Sequence, residues 1–227
     1  MANERLDETL AILTDAAEKG GSRCAVMYSG GKDSLVVMDL CMRAFKKVTP
    51  VHMYLVPGLE FEQERMDFCQ TRWGVTPVEV PHWVSYRLLR GCAYIDPWPE
   101  LGLIPDQKLK DLYEFVRVLT SSDFVAVGAK AADSSWRRRF MKNSAGWDTV
   151  INPIKSWNKF DVLAYLQAKA IPVPVQSGKN ASGVDLSFKS MGWIHKAHPA
   201  DFARIKEYFP YVEAIAARER FYPEVAE

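Results

Sequence analysis

Ser29-Gly30-Gly31-Lys32-Asp33-Ser34 stands between an apolar run, Cys24-Ala25-Val26-Met27-Tyr28, and a segment, Asp33 to Lys46, with Leu35, Met38, Met42 and Phe45 at helical spacing. The run reads as a buried strand and the segment as a helix, so the six residues form a strand-to-helix turn. Two glycines let the backbone turn sharply and approach an anion closely, and the N–H groups and dipole at the helix start favour a phosphate. Lys32 adds a point charge, and the hydroxyls of Ser29 and Ser34 add donors. Asp33 is expected to cap the helix or to help organise Mg²⁺. The spacing is neither G-x-x-x-x-G-K-[ST] nor G-x-G-x-x-G. The plain alternative, a glycine turn with a surface lysine, fits the strand-to-helix context less well.

The same alternation runs outward from the loop. Asn3 to Lys19 places Leu6, Leu10, Leu13 and Ala17 on one helical face, and Gly20-Gly21 stops it. Val48 to Val56 reads as a second strand closed by Pro57-Gly58, Glu60 to Trp73 as a helix, and Val75 to Val80 as a third strand. Leu109 to Leu119 is helical, Phe124 to Val127 a strand, and Lys159 to Ala168 another helix. This rhythm predicts an α/β fold, a doubly wound parallel sheet whose ligands sit at the carboxyl ends of the strands. Gly91 to Asp106 and Gln176 to Gly192 break the rhythm and read as long loops. The second, with Gly178 and Gly183 as hinges, is expected to close over the site when an acceptor binds. The expected organisation is an N-terminal helix over 1–22, a nucleotide-binding domain over 23–175, and a C-terminal loop and helical extension over 176–227.

Composition sets the class. The 227 residues are 48% hydrophobic and 25% charged, with Lys+Arg 29 against Asp+Glu 28 and a net charge of +1. No global basic field points to nucleic acid, and no apolar stretch approaches a membrane span. Cysteines at 24, 41, 69 and 92 form no C-x-x-C pair, so neither a disulfide framework nor a zinc spacing is present. A soluble cytoplasmic protein is expected. His195, His198 and Asp201 have a spacing that metals use, but Pro199 interrupts it, and surface or capping roles are the simpler reading. Trp193, Phe202, Ile205, Tyr208 and Phe209 read as a packing face.

A second candidate segment is Phe124 to Arg139, FVAVGAKAADSSWRRR. Lys130, Arg137, Arg138 and Arg139 gather near a strand's carboxyl end, with Gly128 and Ser134 among them. Such cations suit phosphates or a sulfate-like oxyanion. A solvated basic turn and a nucleic-acid patch are the competing readings.

The six-residue loop resembles the PP-loop of the N-type ATP pyrophosphatases. Aligned on Gly128, the second segment is similar to the glycine–arginine motif of the phosphoadenosine-phosphosulfate reductase family and its sulfate adenylyltransferase relatives. The family's first arginine falls at Lys130, its serine at Ser134 and its later arginine at Arg137. Asn152-Pro153 with Trp157, Asp161-Val162, Tyr165-Leu166 and Ile171-Pro172 resembles a further family stretch, read here as structural. Pro57-Gly58-Leu59-Glu60-Phe61 resembles the family's loop near the nucleotide base. The resemblance implies an adenine nucleotide alpha hydrolase-like fold that binds ATP with Mg²⁺ and cleaves it between the α and β phosphates. It implies catalytic roles for Lys32 and Arg137. It implies nucleotide contacts from Tyr28, Ser29, Gly30, Gly31, Lys32, Asp33, Ser34, Gly58, Gly128, Lys130, Ser134 and Arg137. No general base is evident in the sequence, so an acceptor that is already an oxyanion, such as sulfate or a carboxylate, is expected. Family reductases carry a C-terminal cysteine nucleophile, whereas the last cysteine here is Cys92, the one plausible reactive thiol. A sulfonucleotide reductase, a non-catalytic nucleotide-binding module and a nucleic-acid modification enzyme stay as rivals. A partner subunit or a second copy is left open, and neither membrane nor nucleic acid is an expected partner.

Overall fold

Cys24, Ala25 and Val26 are fully buried because β1 (Arg23–Met27) runs through the middle of a parallel sheet covered on both faces. The computed structural model describes residues 2–142, 148–173, 186–215 and 217. Within them the sheet has the order β3-β2-β1-β4-β5, formed by β2 (Lys47–Tyr54), β3 (Val78–Pro81), β4 (Phe124–Ala126) and β5 (Val150–Ile151). All of its pairings are parallel. The fold is the doubly wound α/β type expected. Strand order reverses between β1 and β4, which opens a crevice at their carboxyl ends.

Pro50 lies within β2 without breaking it. The Val51 carbonyl accepts from Tyr28 N at 2.8 Å on the β1 side, so the proline nitrogen faces the β3 side. Pairing with β3 starts one residue later, at Val51 with Val78, so no ladder bond is lost.

On one face α1 (Ala2–Lys19), α2 (Lys32–Ala44) and α7 (Lys159–Ala168) share a core with β1 and β2; on the other, α5 (Leu109–Leu119) packs through Leu112, Tyr113 and Val116. α3 (Glu60–Trp73), α5 and α7 have the limits expected. In α1, Leu13 is buried as expected, but Leu10 is exposed and Thr9 takes the inward position. Its hydroxyl donates to the Pro153 carbonyl and accepts from the Trp157 indole N–H, joining α1 to the turn before α7. Two helices were not foreseen: α4 (Trp83–Arg90), capped by the His82 ring, and α6 (Ser135–Lys142), inside the basic segment.

The C-terminal extension is more helical than its composition suggests. Residues 188–192, expected in a loop, belong to α8 (Phe188–Ala197), and α9 (Pro199–Tyr208) follows. Positions 176–185 of the expected closing loop lie outside the described residues. Phe202, Ile205 and Phe209 form a buried packing face with Leu55, Val56, Leu59 and Phe61, while Tyr208 is exposed. The Asp201 carboxylate accepts from the N–H groups of Glu60 at 2.7 Å and Phe61 at 3.2 Å, so α9 caps the start of α3. Asp201→Ala is expected to destabilise the fold by about 1–2 kcal/mol, the scale of a lost cap. A urea midpoint unchanged from wild type would show that water replaces the carboxylate.

Candidate functional site

The glycine loop leaves β1 at the crevice. Gly30 has φ +68°, and a Cβ there would lie 2.7 Å from the Arg65 side chain, so both conformation and space require glycine. Gly31 is the N-cap of α2 and makes no side-chain cap. Ser34 Oγ donates to the Gly31 carbonyl at 2.9 Å and lies 3.3 Å from Ser29 Oγ, which tightens the loop. The first turn of α2 therefore aims backbone N–H groups at the sheet edge, an arrangement suited to an anion.

Asp33, expected to cap α2, does something else. It sits past the cap, with Oδ2 3.0 Å from Lys32 Nζ and Oδ1 2.7 Å from Lys130 Nζ. Lys130 is only 2% exposed, and its ammonium also reaches Asp133 Oδ1 at 3.0 Å. Asp133 in turn holds Arg137 Nη1 at 2.6 Å. Burial alone would raise Asp133, but hydrogen bonds and charge from Lys130, then Arg137, outweigh it and hold its carboxyl below the usual range. Lys130 is thus a buried strut between the β1 and β4 loops. Gly128 permits the approach, since a Cβ there would lie 3.2 Å from the Asp33 backbone carbon and 3.3 Å from Ser34 N.

A cavity of about 640 Å³ opens at this edge. Tyr28, Ser29, Asp33, Ser34, Gly128 and Arg137 line it, so these expected site residues converge. Lys130 works from behind the wall, and Ser134 caps α6 by accepting from Arg137 N at 3.0 Å. Arg138 and Arg139 are exposed and do not line the cavity. Gly58 is not in its lining either. Gly58 lies beneath Arg204, whose Nε donates to the Pro57 carbonyl at 2.7 Å.

Several lining residues were not singled out from the sequence: His52, Glu62, Arg65, His82, Trp83 and Tyr113. Asn152, read as purely structural, is a seventh. Arg65 reaches back to the Ser29 carbonyl at 3.3 Å, and its peptide oxygen accepts from the buried Tyr28 hydroxyl. His82 is lowered by burial and then by the neighbouring His52, which favours its neutral form. His52 lies in β2, His82 just past β3, and Glu62 and Arg65 on α3, so no local pattern marks them as a group.

None of the four cysteines lines the cavity. Cys24, Cys41 and Cys69 are buried, and burial pushes the Cys69 thiol up to about 12. Cys92 alone is partly exposed. Among the described residues no group of three or more His, Cys, Asp or Glu is arranged for a metal ion, and no helix is long and apolar enough to cross a membrane.

Residues 23–78 match the phosphoadenosine phosphosulfate reductase domain family. No protein of curated function matches the chain by sequence. Among solved structures, the U34-tRNA thiolase NcsA from Methanococcus maripaludis, with its 4Fe-4S cluster, superposes with a TM-score of 0.52 at 17% identity, over 93% of this chain and 79% of that one. The ammonia-dependent NAD synthetase from Campylobacter jejuni, in complex with nitrate, gives 0.50 at 12% identity, over 99% and 97%. The chain shares its α/β fold with these two structures and, over residues 23–78, matches the phosphoadenosine phosphosulfate reductase domain family.

Proposed function

We propose that this chain binds Mg·ATP at the carboxyl edge of the sheet and cleaves it between the α and β phosphates, transferring the adenylyl group and releasing pyrophosphate. The observation that carries this reading is the junction of the two loops. Lys32, at the start of α2, meets Lys130 across Asp33, and Lys130 meets Arg137 across Asp133, beside a cavity of about 640 Å³ that Asp33 and Arg137 line. That size falls in the ~300–1,000 Å³ range of small-molecule sites. Met53, Trp83, Leu109 and Tyr113 supply an apolar wall for a planar base.

In this reading the backbone of residues 29–34 and Lys32 hold the departing pyrophosphate, and Arg137 offsets charge that develops on the phosphates. Mg²⁺ bound with the triphosphate would offset its charge. Asp33 is the carboxylate at the loop, and with both oxygens on lysine ammonium groups it must release one of them to meet a cation.

A sulfonucleotide reductase is the second reading, favoured by the family match over residues 23–78. It requires a thiol at the site, and the cavity has none among its lining residues. The test is pyrophosphate release from Mg·ATP by the purified chain, beside a Cys92→Ala variant. Release that is unaffected by the cysteine change supports adenylyl transfer. Absence of ATP binding, with tight binding of a sulfonucleotide, contradicts it.

A further inference from the structure

With no proton acceptor evident in the sequence, a ready-made oxyanion was the natural acceptor to expect. The cavity wall removes that reason. His52 on β2 and Glu62 in the first turn of α3 both line it, and they are 2% and 4% exposed. His52 Nδ1 lies 3.1 Å from the Tyr28 carbonyl, which only accepts, so Nδ1 carries a proton. That leaves Nε2 as a lone pair with no hydrogen-bond partner, facing Glu62 Oε2 at 3.5 Å, where it can accept from the Glu62 carboxyl once that has taken up a proton. Burying a carboxylate and an imidazole together is costly, and apolar side chains such as Val51 and Met53 form the adjoining wall. Ionisable groups retained at such cost in a cleft are candidates for proton chemistry. Tyr28 leads directly into the glycine loop, so the same hydrogen bond ties this pair to the phosphate cradle.

We propose that Glu62, positioned by His52, takes the proton from the acceptor, and that the acceptor is therefore a neutral N–H or O–H nucleophile. The inference rests on the ATP-cleaving reading above and deepens it. The acceptor's lone pair forms a bond to the α-phosphorus. The bond from that phosphorus to the α,β-bridging oxygen breaks, and its electron pair leaves with pyrophosphate. The proton of the attacking N–H or O–H passes to a Glu62 oxygen. No oxidant or reductant is involved. Water fits the same role when no other acceptor is present, giving AMP. Arg65 on the same helix and His82, just past the neighbouring strand β3, are further charged or titratable groups beside the pair in the cavity lining.

The test measures AMP formation from Mg·ATP with water, adenylyl-hydroxylamine formation with hydroxylamine, adenylyl sulfate formation with sulfate, and Mg·ATP affinity separately. Glu62→Gln is expected to lower AMP formation about 100-fold, the scale of a lost general base, with Mg·ATP affinity unchanged. Formate added to Glu62→Ala is expected to restore part of the rate. His52→Gln is expected to lower kcat about tenfold with KM unchanged, as a positioning residue should. Three results overturn the proposal alone: a wild-type rate in Glu62→Gln, adenylyl sulfate formed equally fast by Glu62→Gln and wild type, or a loss confined to His82→Gln. Wild-type protein that binds Mg·ATP yet forms neither AMP with water nor an adenylyl product with hydroxylamine or sulfate overturns the cleavage reading itself, and this inference with it.

Discussion

Lys130→Ala is expected to destabilise the fold by about 3 kcal/mol, the lower end of the cost of breaking a buried ion pair. For a chain of this size that corresponds to a melting temperature lower by about 10 °C. The ammonium is 2% exposed and lies 2.7 Å from Asp33 and 3.0 Å from Asp133. Removing it leaves two carboxylates facing one another across the junction of the β1 and β4 loops. Both are about a quarter exposed, at 24% and 27%, so water compensates in part and the upper end of the range is not reached. Adding Asp33→Asn to Lys130→Met should recover part of the loss, because it removes the charge left stranded. A drop of only a degree or two in Lys130→Ala would mean that the strut contributes little to folding.

Lys32→Ala has the opposite signature. Lys32 pairs with Asp33 at 3.0 Å from its own helix, and its side chain is 15% exposed against 3% for Lys130, so its loss is expected to cost clearly less stability than the loss of Lys130. Its effect falls on turnover. An electrostatic contact to the departing pyrophosphate is worth about 3 kcal/mol, so pyrophosphate release should fall about 100-fold. Thermal melts and pyrophosphate assays on the two lysine variants therefore separate a structural cation from a functional one. Equal melts and equal rates would remove the distinction.

Much of the fold was legible because its signals are local. The limits of α5 follow from periodic apolar positions, those of α3 and α7 from local stop and start signals such as Gly74 and the Asn158 cap, and the glycine loop announces itself through residues that few other conformations need. What was not legible depends on residues distant in sequence. Leu10 loses its inward place to Thr9 because Pro153 and Trp157 offer that hydroxyl two hydrogen bonds. Asp33 is drawn from capping by Lys130, 97 positions away, and a lysine is ordinarily read as a surface residue. α6 is hidden by its own charge, since Arg137, Arg138 and Arg139 obscure an apolar period. β5 is two residues long and exists through pairing with β4. The His52–Glu62 pair joins a strand to the start of a helix, and only the fold brings the two together.

The position at which ATP is cut tests the central claim most directly. ATP labelled at the α-phosphorus is incubated with Mg²⁺ and the purified chain, and the products are separated. The account predicts label in AMP or an adenylylated acceptor, with one pyrophosphate released per event and the signal strongly reduced in Lys32→Ala. Label recovered in ADP, with free phosphate as the other product, would contradict it.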